Sequence, residues 1–141
     1  MAATEKDREV LARTLWAEAR GEGMEGMIAA GWTVRNRVND GKSKSWWGEG
    51  YAGVCQAPWQ FSCWNKNDPN YPFLTGAKPI PAGELAKAKQ AAAVVIDATQ
   101  PDPTGGATHY YATTMPKPPS WAAKAKKTLT LGRHVFFKAV P

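Results

Sequence analysis

The sequence predicts an α+β fold, mainly helical, with a small antiparallel β-hairpin or sheet near the C-terminus. Two patterns carry this: apolar residues recur at helical spacing in three windows before residue 100, and the stretch from Thr108 to Phe137 is short, aromatic and alternating around turn residues. A third observation sets the scale. At 141 residues, with 43% hydrophobic and 21% charged residues, the chain is predicted to be one globular domain over 1–141, and a disordered tail or fibre is excluded.

Thr4 is the expected N-cap of a helix running to about Ala19, with Glu5 and Asp7 in the first turn, where they suit the dipole. Gly21 and Gly23 end it. A second helix is expected from Met24 to Val38, because Met27, Gly31, Val34 and Val38 share a face and Asn39-Asp40-Gly41 reads as a stop. Gly31 on that face permits close helix approach. From Lys42 to Pro81, Gly, Pro, Asn and Trp are scattered without sustained period, which predicts a long ordered loop region with at most short helices. A third helix is expected from about Gly83 to Thr99, closed by Pro101 and Pro103. Thr108 to Ala112 and Thr128 to Phe137 then read as strands, the latter turning at Gly132-Arg133.

Composition narrows the function classes. The longest mostly apolar stretch, Ala91 to Ile96, is far short of the roughly 20 residues a bilayer span needs. Met1 to Val10 carries five charged residues and no apolar core, unlike a secretory signal. Two cysteines exclude a disulfide-stapled miniprotein. With 18 Lys+Arg against 12 Asp+Glu, the net charge is +6 and the pI about 9.4, pointing to an anionic partner: nucleic acid, an anionic membrane face or a cell-wall polymer. Seven tryptophans add flat faces able to stack on sugars or bases, although some must be core.

The sharpest signal is Trp16-Ala17-Glu18-Ala19-Arg20-Gly21-Glu22. At ~100° per residue from Leu11, Leu15 falls at about 40° and Glu18 at about −20°, so Glu18 lies inside the apolar stripe. A carboxyl there is desolvated, which raises its pKa as a general acid requires. The alternative on geometry alone is a Glu neutralised by a buried Arg35 or Arg37. Glu22, beyond the glycine break, is the second candidate acid.

The run Leu11 to Val38, with Ala17-Glu18-Ala19-Arg20-Gly21-Glu22, Gly26 and Asn36-Arg37-Val38, resembles the opening of the cell-wall hydrolase family that includes the spore cortex-lytic enzymes. Gln60-Phe61-Ser62, the block Asp102 to Tyr111, and Leu131-Gly132-Arg133-His134-Val135-Phe136 resemble its later motifs, in the family's order. The resemblance implies a lysozyme-like fold related to goose-type lysozymes and lytic transglycosylases. It also implies cleavage of peptidoglycan between N-acetylmuramic acid and N-acetylglucosamine, with Glu18 as the catalytic acid/base.

A hydrolase that activates water needs a second carboxylate about 6.5–9.5 Å away, and a retaining one about 5–5.5 Å away. Asp40, Asp68, Asp97 and Asp102 are the candidates, none in a nucleophile motif. A single glutamate instead favours transglycosylation to a 1,6-anhydro end, with water attack the alternative. A third reading is a basic glycan-binding module without catalysis.

Trp59, Gln60, Phe61 and Ser62, near Trp64, are the expected substrate-binding loop, offering amide and hydroxyl groups among aromatic faces. Tyr110 and Tyr111 point to opposite faces of their strand, so one is expected to reach the cleft. Trp46-Trp47 is either a glycan-stacking pair or a hydrophobic staple. Cys55 and Cys63 are either a disulfide or buried thiols. With His109 and His134 they match no zinc spacing, so no metal and no cofactor is expected. The lysines from Lys117 to Lys127 are either solvated surface or a weak contact to an anionic envelope surface. Peptidoglycan glycan strands are the expected partner, with no nucleic acid, because no helix-turn-helix or RNA-recognition motif is present. A monomer is expected. The compact, basic chain resembles a bacteriolytic phage endolysin, made in the host cytoplasm without a signal peptide and reaching the wall after release through a holin-type hole.

Overall fold

In the computed structural model, residues 3–39, 50–57 and 61–140 are described. The first helix, α1 (Glu5–Ala19), starts at a reciprocal capping box: Asp7 N–H donates to Thr4 Oγ1 at 3.1 Å, and Thr4 N–H donates to Asp7 Oδ2 at 3.0 Å. Asp7 Oδ1 also accepts the Ala52 N–H at 3.0 Å, tying α3 (Gly50–Gln56) to the start of α1. A 3-10 turn over Arg20–Glu22 and Gly23 at φ +75° redirect the chain into α2 (Gly23–Val38), as the glycines predict.

The 42–81 region contributes α3, a 3-10 turn (Ser62–Trp64) and α4 (Tyr71–Thr75), in keeping with its lack of sustained period. Then α5 (Ala82–Ile96) packs on α1 and α2. It ends three residues before the expected Thr99, with Ala98 at φ +52°. Leu11, Leu15, Val34, Val54 and Val95 form the fully buried centre of this helical layer. Gly31 is required there: a Cβ would meet Val95 Cγ2 at 2.7 Å and Leu15 Cδ1 at 3.3 Å. Arg35 Nη1 donates to Val95 O at 3.0 Å and Ile96 O at 2.9 Å, satisfying carbonyls at the α5 C-terminus.

The C-terminal part folds into a three-stranded antiparallel sheet of order β1-β3-β2, made of β1 (His109–Ala112), β2 (Lys126–Leu131) and β3 (His134–Lys138). Tyr110 pairs with Phe136 and Leu129 with Phe136, with an irregularity between Lys127 and Leu129. Alternation gives the sheet two faces. Phe136, wholly buried, packs with Ala29 of α2 and Ala107, and Tyr110, Leu129 and Leu131 close around them. Tyr111 and Phe137 stack on the other face at 5.6 Å, with Trp121 edge-on to Phe137 at 5.3 Å.

The segment before β1 is fastened to α2 by one carboxylate. Asp102 accepts from Thr104 N–H (2.7 Å), Thr104 Oγ1 (2.6 Å), Gly106 N–H (3.0 Å) and Asn36 Nδ2 (3.0 Å). Asn36 Nδ2 also donates to Ala107 O at 2.8 Å, and Arg37 Nε donates to Thr108 O at 2.7 Å. Two of the sequence blocks therefore meet here, joining α2 to the lead-in of β1.

Candidate functional site

The last turn of α1 delivers Glu18 to the gap between the helical layer and the sheet. Arg20 stacks on Trp16 at 4.0 Å and donates to Trp16 O at 3.1 Å, while Trp16 Nε1 donates to Glu84 Oε1 at 3.0 Å, which anchors this turn to α5. Across the gap, β1 supplies Tyr110, whose hydroxyl donates to Glu18 Oε1 at 3.1 Å. The Tyr110 ring is held between His134 (4.8 Å) and Phe136 (5.4 Å), so its hydroxyl is aimed by packing.

Glu18 is half-buried, and burial pushes its carboxyl above the ordinary carboxylate range. The Tyr110 hydroxyl and the buried Cys63 thiol oppose that shift by favouring the charged form, and the negative charge of Asp68 adds to it. Neither Arg35 nor Arg37 pairs with it: Arg35 caps α5 and Arg37 binds Thr108 O. Among the described residues Glu18 has no ion pair. Burial thus favours the protonated carboxyl relative to an exposed one, and a hydroxyl donor holds it, the arrangement a general acid needs.

A pocket of about 190 Å³ opens beside it, lined by Glu18, Gly21, Glu22, Thr114, Arg133 and His134. Glu22 is committed to the β2–β3 turn, its Oε1 accepting from Arg133 N–H at 3.2 Å and Arg133 Nε at 3.3 Å. Gly132 makes this possible, with φ +57° and no Cβ; a Cβ would lie 2.7 Å from Glu22 Oε2. The second candidate acid is therefore a strut for the hairpin tip. His134 is held below its ordinary pKa by burial, and so is His109, which is pushed down to about 4 by burial and by Arg37, so the His109 ring is neutral at neutral pH.

The expected site residues divide. Tyr110 reaches Glu18, whereas Tyr111 stands on the opposite face of the sheet against Phe137 and Trp121, a correction to its expected place in the cleft. Phe61 is also corrected: at 6% exposure it belongs to the core, beneath the Arg37 guanidinium. Ser62 is exposed at the start of its 3-10 turn. Trp59 and Gln60 lie outside the described residues, as do Trp46, Trp47 and Asp40. Trp64 donates from Nε1 to Thr14 Oγ1 at 2.9 Å, a structural role.

Of the remaining carboxylates, Asp97 is engaged by Arg8 at 2.6 Å and Asp102 by its four donors, which leaves Asp68 as the one whose charge acts on Glu18. Cys55 and Cys63 are free buried thiols, and burial pushes the Cys55 thiol up to about 12, so it is inert. Asp68 is one of the four carboxylates named from the sequence, whereas Cys63 as a neighbour of Glu18, and Arg133 and His134 as pocket walls, were not assigned from it. Their signal was the presence of Cys63 just after Gln60-Phe61-Ser62 and of Arg133-His134 inside the last block. Among the described residues, no group of three or more His, Cys, Asp or Glu could hold a metal, and no helix is long and apolar enough to cross a membrane.

Comparisons with known proteins bear on the fold and the family. The fold is similar to the catalytic domain of the germination-specific lytic transglycosylase SleB from Bacillus anthracis, at 23% identity over 96% of each chain and a TM-score of 0.67. It is also similar to the catalytic domain of the Bacillus cereus SleB protein, at 22% identity over 98% of this chain and 94% of that one, with a TM-score of 0.71. The lysozyme-like, mainly helical fold with its small sheet is that of these domains. A search of curated proteins gave no match. A family model described as Cell Wall Hydrolase matches residues 21–137, from the turn after Glu18 to the end of the sheet, and the chain belongs to the cell wall hydrolase family.

Proposed function

We propose that the protein cleaves the glycan strand of peptidoglycan at the N-acetylmuramic acid–N-acetylglucosamine β-1,4 bond, with Glu18 as general acid and then base. One observation carries the reading: a carboxyl with a raised pKa, bound by the Tyr110 hydroxyl and free of any basic partner among the described residues, at the wall of an open pocket. The family model and the SleB-like fold support the substrate class.

In the first step Glu18 gives its proton to the glycosidic oxygen as the bond from C1 of the muramic residue breaks and positive charge develops on the ring. The resulting carboxylate stabilises that charge. It then takes the proton of the C6 hydroxyl as that oxygen bonds to C1, leaving a 1,6-anhydro end and restoring the acid. Tyr110 holds Glu18 through both protonation states, because its hydroxyl favours the carboxylate without supplying a full charge. Ser62, Gln60 and Trp59 are the proposed contacts to neighbouring sugars.

Digestion of purified peptidoglycan in ¹⁸O-water tests the route. Unlabelled 1,6-anhydro ends are expected; ¹⁸O-labelled reducing ends alone would show water attack, the hydrolytic muramidase reading. The pH profile gives a second check. Tyr110→Phe removes a donor that lowers the Glu18 pKa, so the alkaline limb of the pH–rate profile is expected to move upward relative to wild type.

The proposal extends to a bacteriolytic, endolysin-type role for a monomer that reaches the wall through a holin-type hole, on the strength of the resemblance to phage lysins. Internal expression is then expected to lyse cells only after the inner membrane is permeabilised, which optical density reads directly.

A further inference from the structure

The charge of this chain is segregated. In residues 1–102 twelve basic and twelve acidic side chains cancel, whereas residues 103–141 hold Lys117, Lys124, Lys126, Lys127, Arg133 and Lys138 and no Asp or Glu. The whole surplus of +6 therefore belongs to the sheet and the segments around it. Arg133 is spent on Glu22, but none of the five lysines has an ion pair among the described residues.

The same region holds a groove unconnected with Glu18. On the outer face of the sheet, Tyr111, Pro118, Pro119, Lys127, Thr130 and Phe137 line a depression of about 540 Å³, within the ~300–1,000 Å³ usual for ligand clefts. Its wall is aromatic, with Tyr111 and Trp121 packed around Phe137; Lys127 lines it, and exposed Lys117 and Lys124 adjoin its lining residues Pro118 and Ala123 in sequence. Strand β3 borders both sites: His134 lines the Glu18 pocket, and Val135 and Phe137 line this groove.

We propose that this outer groove is a second, non-catalytic binding surface for peptidoglycan, taking sugar rings against its aromatic wall and the stem-peptide carboxylates of the wall polymer on its lysine rim. This rests on the reading of peptidoglycan as substrate. The aromatic wall favours a glycan over other polyanions, because flat amphipathic faces match sugar rings, while the unpaired lysines match the carboxylates by charge. Tyr111, turned away from the cleft, is part of the wall of this second surface. Its effect is to keep the enzyme on an insoluble polymer between cleavage events, raising the local concentration of bonds at Glu18.

The test uses the full chain carrying Glu18→Gln, with and without Lys117→Gln, Lys124→Gln and Lys127→Gln together, in a pelleting assay with purified, teichoic-acid-free peptidoglycan. These lysines are exposed, and thermal unfolding checks that the triple change leaves the fold intact. The triple change is expected to weaken pelleting about tenfold or more and to flatten its salt dependence. In the catalytically intact chain it is expected to slow digestion of insoluble sacculi while leaving cleavage of short soluble glycan chains unchanged. Unchanged pelleting, an equal loss on soluble chains, or tighter binding of the parent to duplex DNA or to phosphatidylglycerol vesicles at the same salt overturns the proposal. If the wild-type chain cuts no soluble glycan at all, the catalytic reading fails while pelleting still decides this one.

Discussion

Glu18→Gln is expected to lower the rate of release of soluble fragments from labelled peptidoglycan by about 10²–10⁴-fold, the contribution typical of a positioned general acid/base. The substitution keeps the shape and one acceptor for Tyr110 and removes the transferable proton. It is also expected to leave the fold intact and, at neutral pH, to raise the unfolding temperature. The sign follows from linkage: burial raises the folded-state pKa of Glu18, so its contribution to stability is fully present below the unfolded value and lost as pH rises through the folded one. Above that window the ionised, half-buried carboxylate disfavours the native state, and a neutral amide does not. The stability gap between variant and wild type therefore closes as pH falls below the Glu18 pKa. An unfolded variant would leave the loss of activity without meaning, whereas an equally or more stable one ties it to the proton.

Asp102→Ala is expected to be the largest destabilisation away from the hydrophobic core, about 3 kcal/mol by chemical denaturation. The carboxylate collects two backbone N–H groups, a hydroxyl and the Asn36 amide, and its removal strands several of them in a half-buried turn. Because this hub joins α2 to the lead-in of β1, loosening it lets Tyr110 drift from Glu18, and activity is expected to fall with stability. Asp102→Asn is expected to recover part of both, since an amide oxygen still accepts from the turn. Full activity in a destabilised Asp102→Ala chain would uncouple the hub from the site.

The helices were legible because their signals are local. Thr4 and Asp7 form the capping box within one turn, and the apolar spacing in α2 and α5 survives into the packed core. The position of Glu18 inside the α1 stripe was legible for the same reason. Strand parity separated Tyr110 from Tyr111 but left the choice of face to tertiary register, which is set by the pairing of Tyr110 with Phe136 and the seating of Phe136 on Ala29. Cys63 and Asp68 reach Glu18 through an irregular segment whose path no periodicity encodes. Asp102 read as a candidate second carboxylate because an acidic residue in a Pro- and Gly-rich stretch looks the same whether it faces a substrate or its own backbone; only the four donors around it distinguish the two. Phe61 sits beside the sugar-binding candidates in sequence, yet its size drives it into the core.

The central claim, that Glu18 is the acid that cuts the glycan strand, is tested most directly by mass spectrometry of peptidoglycan digested in parallel by the wild-type chain and by Glu18→Gln. The account predicts muropeptides with 1,6-anhydro ends from the wild type and undigested polymer from the variant. The same cleavage products from both chains would contradict it.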